Sequence, residues 1–174
     1  MSLIKTNAIQ TLAGKPILNS TGSILQIKSV TKTDATSTSS QTFSDVSGLS
    51  IAITPSATSS KILVIGTINA SEAGDQASVR LMRDSTAIAI GDAASNRIRA
   101  TASIGEGSTL YYMSCLSASH LDSPSSTSAL TYKWQIRSGS GANTTYVNRT
   151  VADRDTAHYE PRVVSSITVM EIAG

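Results

Sequence analysis

Charge is scarce in this chain. Of its 174 residues only 15% are Asp, Glu, Lys or Arg, against roughly 25% in an average soluble domain. The Lys and Arg are scattered and the net charge is +2, so no basic stripe exists to follow a phosphate backbone, and nucleic-acid binding is not expected. Aromatics are fewer still: five Tyr, one Phe and one Trp. The lone cysteine, Cys115, excludes an internal disulfide and reads, within the apolar run "LYYMSCL", as a small buried hydrophobe. No run approaches the ~18 apolar residues of a membrane span, and "MSLIKTNAIQ" lacks the apolar stretch of a secretory signal. Synthesis in a cytoplasm without membrane insertion is the expectation.

Ser, Thr, Ala and Gly take the place of the missing charge. Small, β-tolerant residues suit hairpins and sheet faces, whereas a helical chain would be rich in Glu, Lys and Leu. The length fits one domain plus an arm. Residues 1–22 read as that arm: Leu3, Ile4, Ile9, Leu12, Ile17 and Leu18 are too many for a solvated tail and too dispersed to fold alone, so a partner surface is expected to receive them.

From residue 23 to 174 the pattern becomes short β-like runs between Ser, Thr, Gly, Asp and Pro clusters. "ALTYKWQIRS" alternates most cleanly, with Tyr132, Trp134 and Ile136 on one side, and "LSIAITP" places Leu49, Ile51 and Ile53 together. "ASVRLMRD" and "TAIAIGD" form a hairpin around Asp84 and Ser85. About ten strands and no convincing helix predict an all-β protein, an antiparallel β-sandwich of jelly-roll type.

Three of those strands are apolar on both faces. "SKILVIGTINA" has Ile62, Val64 and Ile68 on one side and Leu63 and Ile65 on the other; "LYYMSCLSAS" (Leu110 to Ser119) and the closing "RVVSSITVMEIAG" behave alike. A two-layer sandwich has one interior, so the second faces need other cover. Without helices to supply it, further copies of the chain are the expected cover, a trimer by preference, with Leu63, Ile65, Tyr112, Met170 and Ile172 at the subunit interface.

Polar loops hold the remaining candidates. Asp92 and Asn96, His120 and Asp122 in "HLD", and Asp153, Asp155, His158 and Tyr159 in "ADRDTAHYE" are candidate receptor-contacting positions. Were the "HLD" and "ADRDTAH" loops to meet, their imidazoles and carboxylates could hold a divalent metal, yet neither spacing matches a zinc motif and turn-forming Asp explains the same letters. No metal or cofactor is assigned. No GxSxG elbow occurs, and the acids Glu72, Asp75, Asp92 and Glu106 would need to face one groove at about 5–9 Å to cleave a glycoside. Tyr111, Tyr146 and Tyr159 are candidate platforms for sugar rings, whereas Trp134 belongs to the core.

The opening "SLIKTNAIQTLAGKPILNSTGSILQI", with "SGLSIAITPSATSSKILV", "LMRDSTAIAIGDA", "HLDSPSSTSALTYKWQ", "TTYVNRT" and the final "SSITVMEIAG", resembles a group of small virion-surface proteins of tailed bacteriophages, especially of marine bacteria, described as tail-fibre-like or structural. The similarity spans nearly the whole chain and is specific as a set of motifs. It implies a β-rich, non-enzymatic module on the virion surface, assembled in the host bacterial cytoplasm, often trimeric, docked onto other virion proteins by its N-terminal segment. Outer loops would then contact a host-cell surface glycan. A capsid decoration protein clamping neighbouring capsid subunits is the main rival, and a small glycan-degrading enzyme a minor one.

Overall fold

Period-two alternation of Ile, Val and Leu with Ser, Thr and Lys sets nearly every element of the computed structural model, which describes residues 20–105, 110–156 and 158–174. The arm candidates Leu3, Ile4, Ile9, Leu12, Ile17 and Leu18 lie outside the described residues. The strands are β1 (Ile24–Lys32), β2 (Thr36–Thr38), β3 (Ser44–Ile53), β4 (Lys61–Ser71), β5 (Ala77–Arg83), β6 (Thr86–Ile88), β7 (Ala102–Ile104), β8 (Ser114–Asp122), β9 (Leu130–Arg137), β10 (Thr145–Val147) and β11 (Ser165–Ile172). Among the described residues there is no helix.

All pairings are antiparallel. In the first sheet β11 and then β10 pair with successive stretches of one edge of β4, β1 and β2 continue that arrangement outward, and β8 takes the other edge of β4. In the second, β3, β9 and β5 lie side by side, and β6 and β7 share the far edge of β5. Counting each collinear pair as one strand, the first sheet runs first–last–third–sixth and the second runs second–seventh–fourth–fifth, the order of a jelly roll. The expected all-β sandwich is the observed fold.

Leu49, Ile53, Ile62, Val64, Ile68, Leu81, Tyr132, Trp134, Ile167 and Val169 fill the space between the sheets with no exposed surface. Trp134, on β9, lies across the interior against β4, where a side chain at Gly66 would not fit. A Cβ there would stand 2.8 Å from Trp134 Nε1 and 3.1 Å from the Ser166 carbonyl oxygen. Gly66→Ala is therefore expected to cost about 1–3 kcal/mol through overpacking, read as a lower urea midpoint with an unchanged slope. A loss below about 0.5 kcal/mol would show that the indole has room to move. Gly48 has a different reason. It sits at φ +77° inside the register shift between Asp45 and Ser50, where β3 bulges against β9.

Two expectations need correction. The strand expected over Leu110 to Ser119 runs instead from Ser114 to Asp122, so Tyr112 precedes it and His120 and Asp122 belong to it. Leu116 and Ala118 of that strand pack against the core, while Cys115, Ser117, Ser119 and Leu121 face outward. Cys115 is exposed, not buried.

Candidate functional site

Register, more than composition, defines the outer face of the first sheet. Ile27 of β1 lies opposite Met170 of β11, Met170 opposite Leu63 of β4, and Leu63 opposite Leu121 of β8. Paired residues point to the same side of a sheet, and the neighbours Ile62, Val64 and Val169 point into the core. An unbroken apolar row therefore crosses four strands on the outside. Ile27 is 56% exposed, Leu121 51% and Ile65 of the next row 41%, while Leu63 and Met170 are half-buried. Ile24 and Ile172 extend the band at one end, and beyond Ile65 the rows hold Ser29, Thr168, Ser119, Thr31, Ser166, Thr67 and Ser117. Lys61, opposite Ile172 at the rim, is the one charged side chain in these rows.

The second sheet's outer face is built differently. Lys133 Nζ reaches Asp45 at 2.6 Å, Gln135 Nε2 donates to the same carboxylate at 2.6 Å, and Arg80 Nε donates to Gln135 at 2.9 Å. One face of the sandwich is thus charged and internally paired, and the other is nearly uncharged and apolar. Only the second has the character of a surface that is covered. Of the expected interface residues, Leu63, Ile65, Met170 and Ile172 lie on this face. Tyr112 does not, whereas Ile27 and Leu121 do.

The two ends of the sandwich differ too. Gly22 N donates to Ala173 O at 2.7 Å and Ala173 N to Ser23 O at 2.8 Å, which fixes the entering chain beside the end of β11. Asp122 is level with this end, since it pairs with Ile62 next to the Lys61–Ile172 pair. The segment 148–164, between β10 and β11, lies at the opposite end, where Ser114 meets Ala70. Asp92 and Asn96 sit in the 89–101 excursion between β6 and β7, along the side edge. The three candidate loops therefore occupy three different regions, and the imidazoles of His120 and His158 are at opposite ends. Among the described residues no group of three or more His, Cys, Asp or Glu is placed to hold a metal.

Asp122 has a structural task in place of the expected contact role. Both of its oxygens accept from Arg83 Nη1 at 2.8 Å, and Tyr132 Oη donates to Oδ2 at 2.7 Å. Burial and the adjoining carboxylate push the Tyr132 phenol upward. The triad ties β8 of the first sheet to β5 and β9 of the second. Glu72 is likewise consumed by structure, accepting from Ser138 Oγ at 3.0 Å and from Thr145, so it is not free to pair with Asp75; Glu106 lies outside the described residues.

At the far end, buried Asn148 adopts φ +63°, donates to Lys32 O at 2.9 Å and Asp34 O at 3.0 Å, and accepts from Ser165 Oγ at 2.6 Å. It pins the base of the 148–164 segment. On that base the rings of Tyr111 and Tyr159 lie 6.4 Å apart at 34°, His158 meets Tyr159 edge-on at 6.5 Å, and the Arg154 guanidinium covers Tyr111 at 4.6 Å. Arg154 pairs with Glu160 at 2.8 Å, and Asp153 is shared between Arg149 and Arg162. A cleft of about 240 Å³ opens between these ion pairs. No protein-family model matches the chain, and no curated protein matches it.

Proposed function

We propose that the protein is a non-enzymatic structural module of a phage virion, which assembles as a homotrimer through the outer face of its first sheet, is fixed to the particle by residues 1–22, and turns the opposite end outward for host adhesion. The observation that carries this reading is the uncharged apolar row Ile27–Met170–Leu63–Leu121. A lone sandwich would expose this row to water, and other copies of the same surface remove it at no electrostatic cost. The sequence resemblance supplies the virion context. The placement of the chain entry and the 148–164 segment at opposite ends supports anchoring by one and presentation by the other. Three copies of a weakly binding end would then act together.

Labelling the protein in particles that carry its gene tests the reading. Signal confined to the tail is expected, signal over the whole shell would favour a decoration protein, and absence from purified particles would overturn the proposal.

A further inference from the structure

We propose that the exposed aromatic pair Tyr111 and Tyr159 at the far end is a platform for a neutral, hydroxyl-rich glycan; this rests on the reading of that end as the outward one. The chain has seven aromatics in all, and their distribution is uneven. Tyr132 and Trp134 fill the core, and Phe43 lies under the Arg80 guanidinium at 4.1 Å. Tyr146 lies under Arg149 at 3.8 Å. The other three are exposed, at 46% for Tyr111, 69% for Tyr112 and 66% for Tyr159, on two segments tied by the Ala152 N to Leu110 O bond. Two of them, Tyr111 and Tyr159, stand in water next to each other, and Tyr112 adjoins Tyr111 in the chain.

The geometry favours a sugar over other ligands. Tyr111 and Tyr159 are inclined side by side rather than stacked on each other, so ring surface remains for the C–H face of a pyranose. Arg154 holds Tyr111 in place from one side. The adjacent cleft supplies the polar half: Arg154 pairs with Glu160, Asp153 is shared by Arg162 and Arg149, and Asp155 lines the cleft beside them. Their charges offset one another, which leaves fixed donors and acceptors for hydroxyls without the net positive field that a sulfated or phosphorylated chain would need. Asp153 and Glu160, bounding the cleft, are both held at positive φ, 50° and 68°, a cost of about 1–3 kcal/mol each that shapes this loop.

The test is retention of the full-length protein on an array of neutral hexose and N-acetylhexosamine oligomers beside their sulfated counterparts. Binding to neutral members is expected, reduced about tenfold or more by Tyr159→Ala and by Tyr111→Ala, a loss of ~1.4 kcal/mol, with Ser50→Glu on the second sheet's outer face unchanged. Both Tyr side chains are solvent-facing, and an unaltered melting temperature shows that the variants fold. Preference for sulfated members, binding indifferent to Tyr159→Ala, or no retention at all would each overturn the platform. Particle labelling stands apart from it: a virion-bound protein that ignores every glycan sinks only this inference, and a glycan-binding protein absent from particles sinks only the virion reading.

Discussion

Replacing Leu63 and Met170 together by glutamate is expected to convert the proposed trimer into single, soluble, folded chains. The two residues are direct cross-strand partners at the centre of the row, and each is half-buried in the lone sandwich. A glutamate in either place can reach water in the free chain, so folding should lose about 1 kcal/mol for each, plus up to about 1 kcal/mol for two like charges facing each other across β4 and β11. Inside a dry contact between copies the same carboxylates would have no partner, because Lys61 at the rim is the only charge in the neighbouring rows. Burying an unpaired polar group costs about 3 kcal/mol or more, roughly a hundredfold or more in association constant for each site. Sedimentation of the native protein should give three chains, and of the double variant one, with superimposable far-ultraviolet dichroism. Ser50→Glu on the opposite face should leave assembly intact, as should Tyr112→Ala, which lies off the row. A native protein that runs as one chain at low micromolar concentration would remove the basis of the proposed trimer.

How far the letters foretold this depends on whether a feature is local. Alternation within one strand is local, and it placed Tyr132, Trp134 and Ile136 inside and separated Ile62 and Val64 from Leu63 and Ile65. The partner of a strand is not local. Leu121 faces Leu63 only because β8 joins β4 across a long stretch of sequence, and within "HLDSP" it reads as a loop residue. The same stretch hides Asp122, whose Arg83 and Tyr132 ligands come from the other sheet; nothing in a linear text announces a carboxylate that will be buried. Tyr111 and Tyr112 misled in the other direction. Aromatics beside Met113 and Leu116 imitate a strand, yet they stand in water just before one. Charge balance in the far cleft was invisible for a related reason, since Arg149 and Arg162 flank "ADRDTAHYE" rather than lie within it.

Glu171 offers the clearest case of a signal present but easy to pass over, and the second large effect. Alternation from Ile167 and Val169 puts it on the inward face, where a glutamate has no place unless something receives it. Its side chain is fully enclosed. Oε1 accepts from Ser56 N and Ser56 Oγ at 2.6 Å and from Ser60 Oγ at 2.7 Å, and Oε2 from Gln26 Nε2 at 2.6 Å. Burial pushes the carboxyl upward, but the bonds from Gln26, Ser56 and Ser60 outweigh it and bring the pKa down from 4.5 to about 2. The unfolded chain thus takes up this proton more readily than the folded one. The stability it contributes is complete above pH 4.5 and disappears as pH falls towards 2. Glu171→Gln should lower stability at neutral pH by about 2–4 kcal/mol, because the amide brings donors to a site already full of donors. It should also flatten the fall in melting temperature that the native protein shows on acidification through that window. Equal acid dependence in the two proteins would mean that the carboxylate is not held as a charged acceptor. The consequence reaches past local stability: Glu171 ties β1 and the 54–60 loop to β11 at the corner where Ile24 and Ile172 begin the apolar band. Acid that loosens this corner should therefore release the copies of the proposed trimer before it unfolds the sandwich.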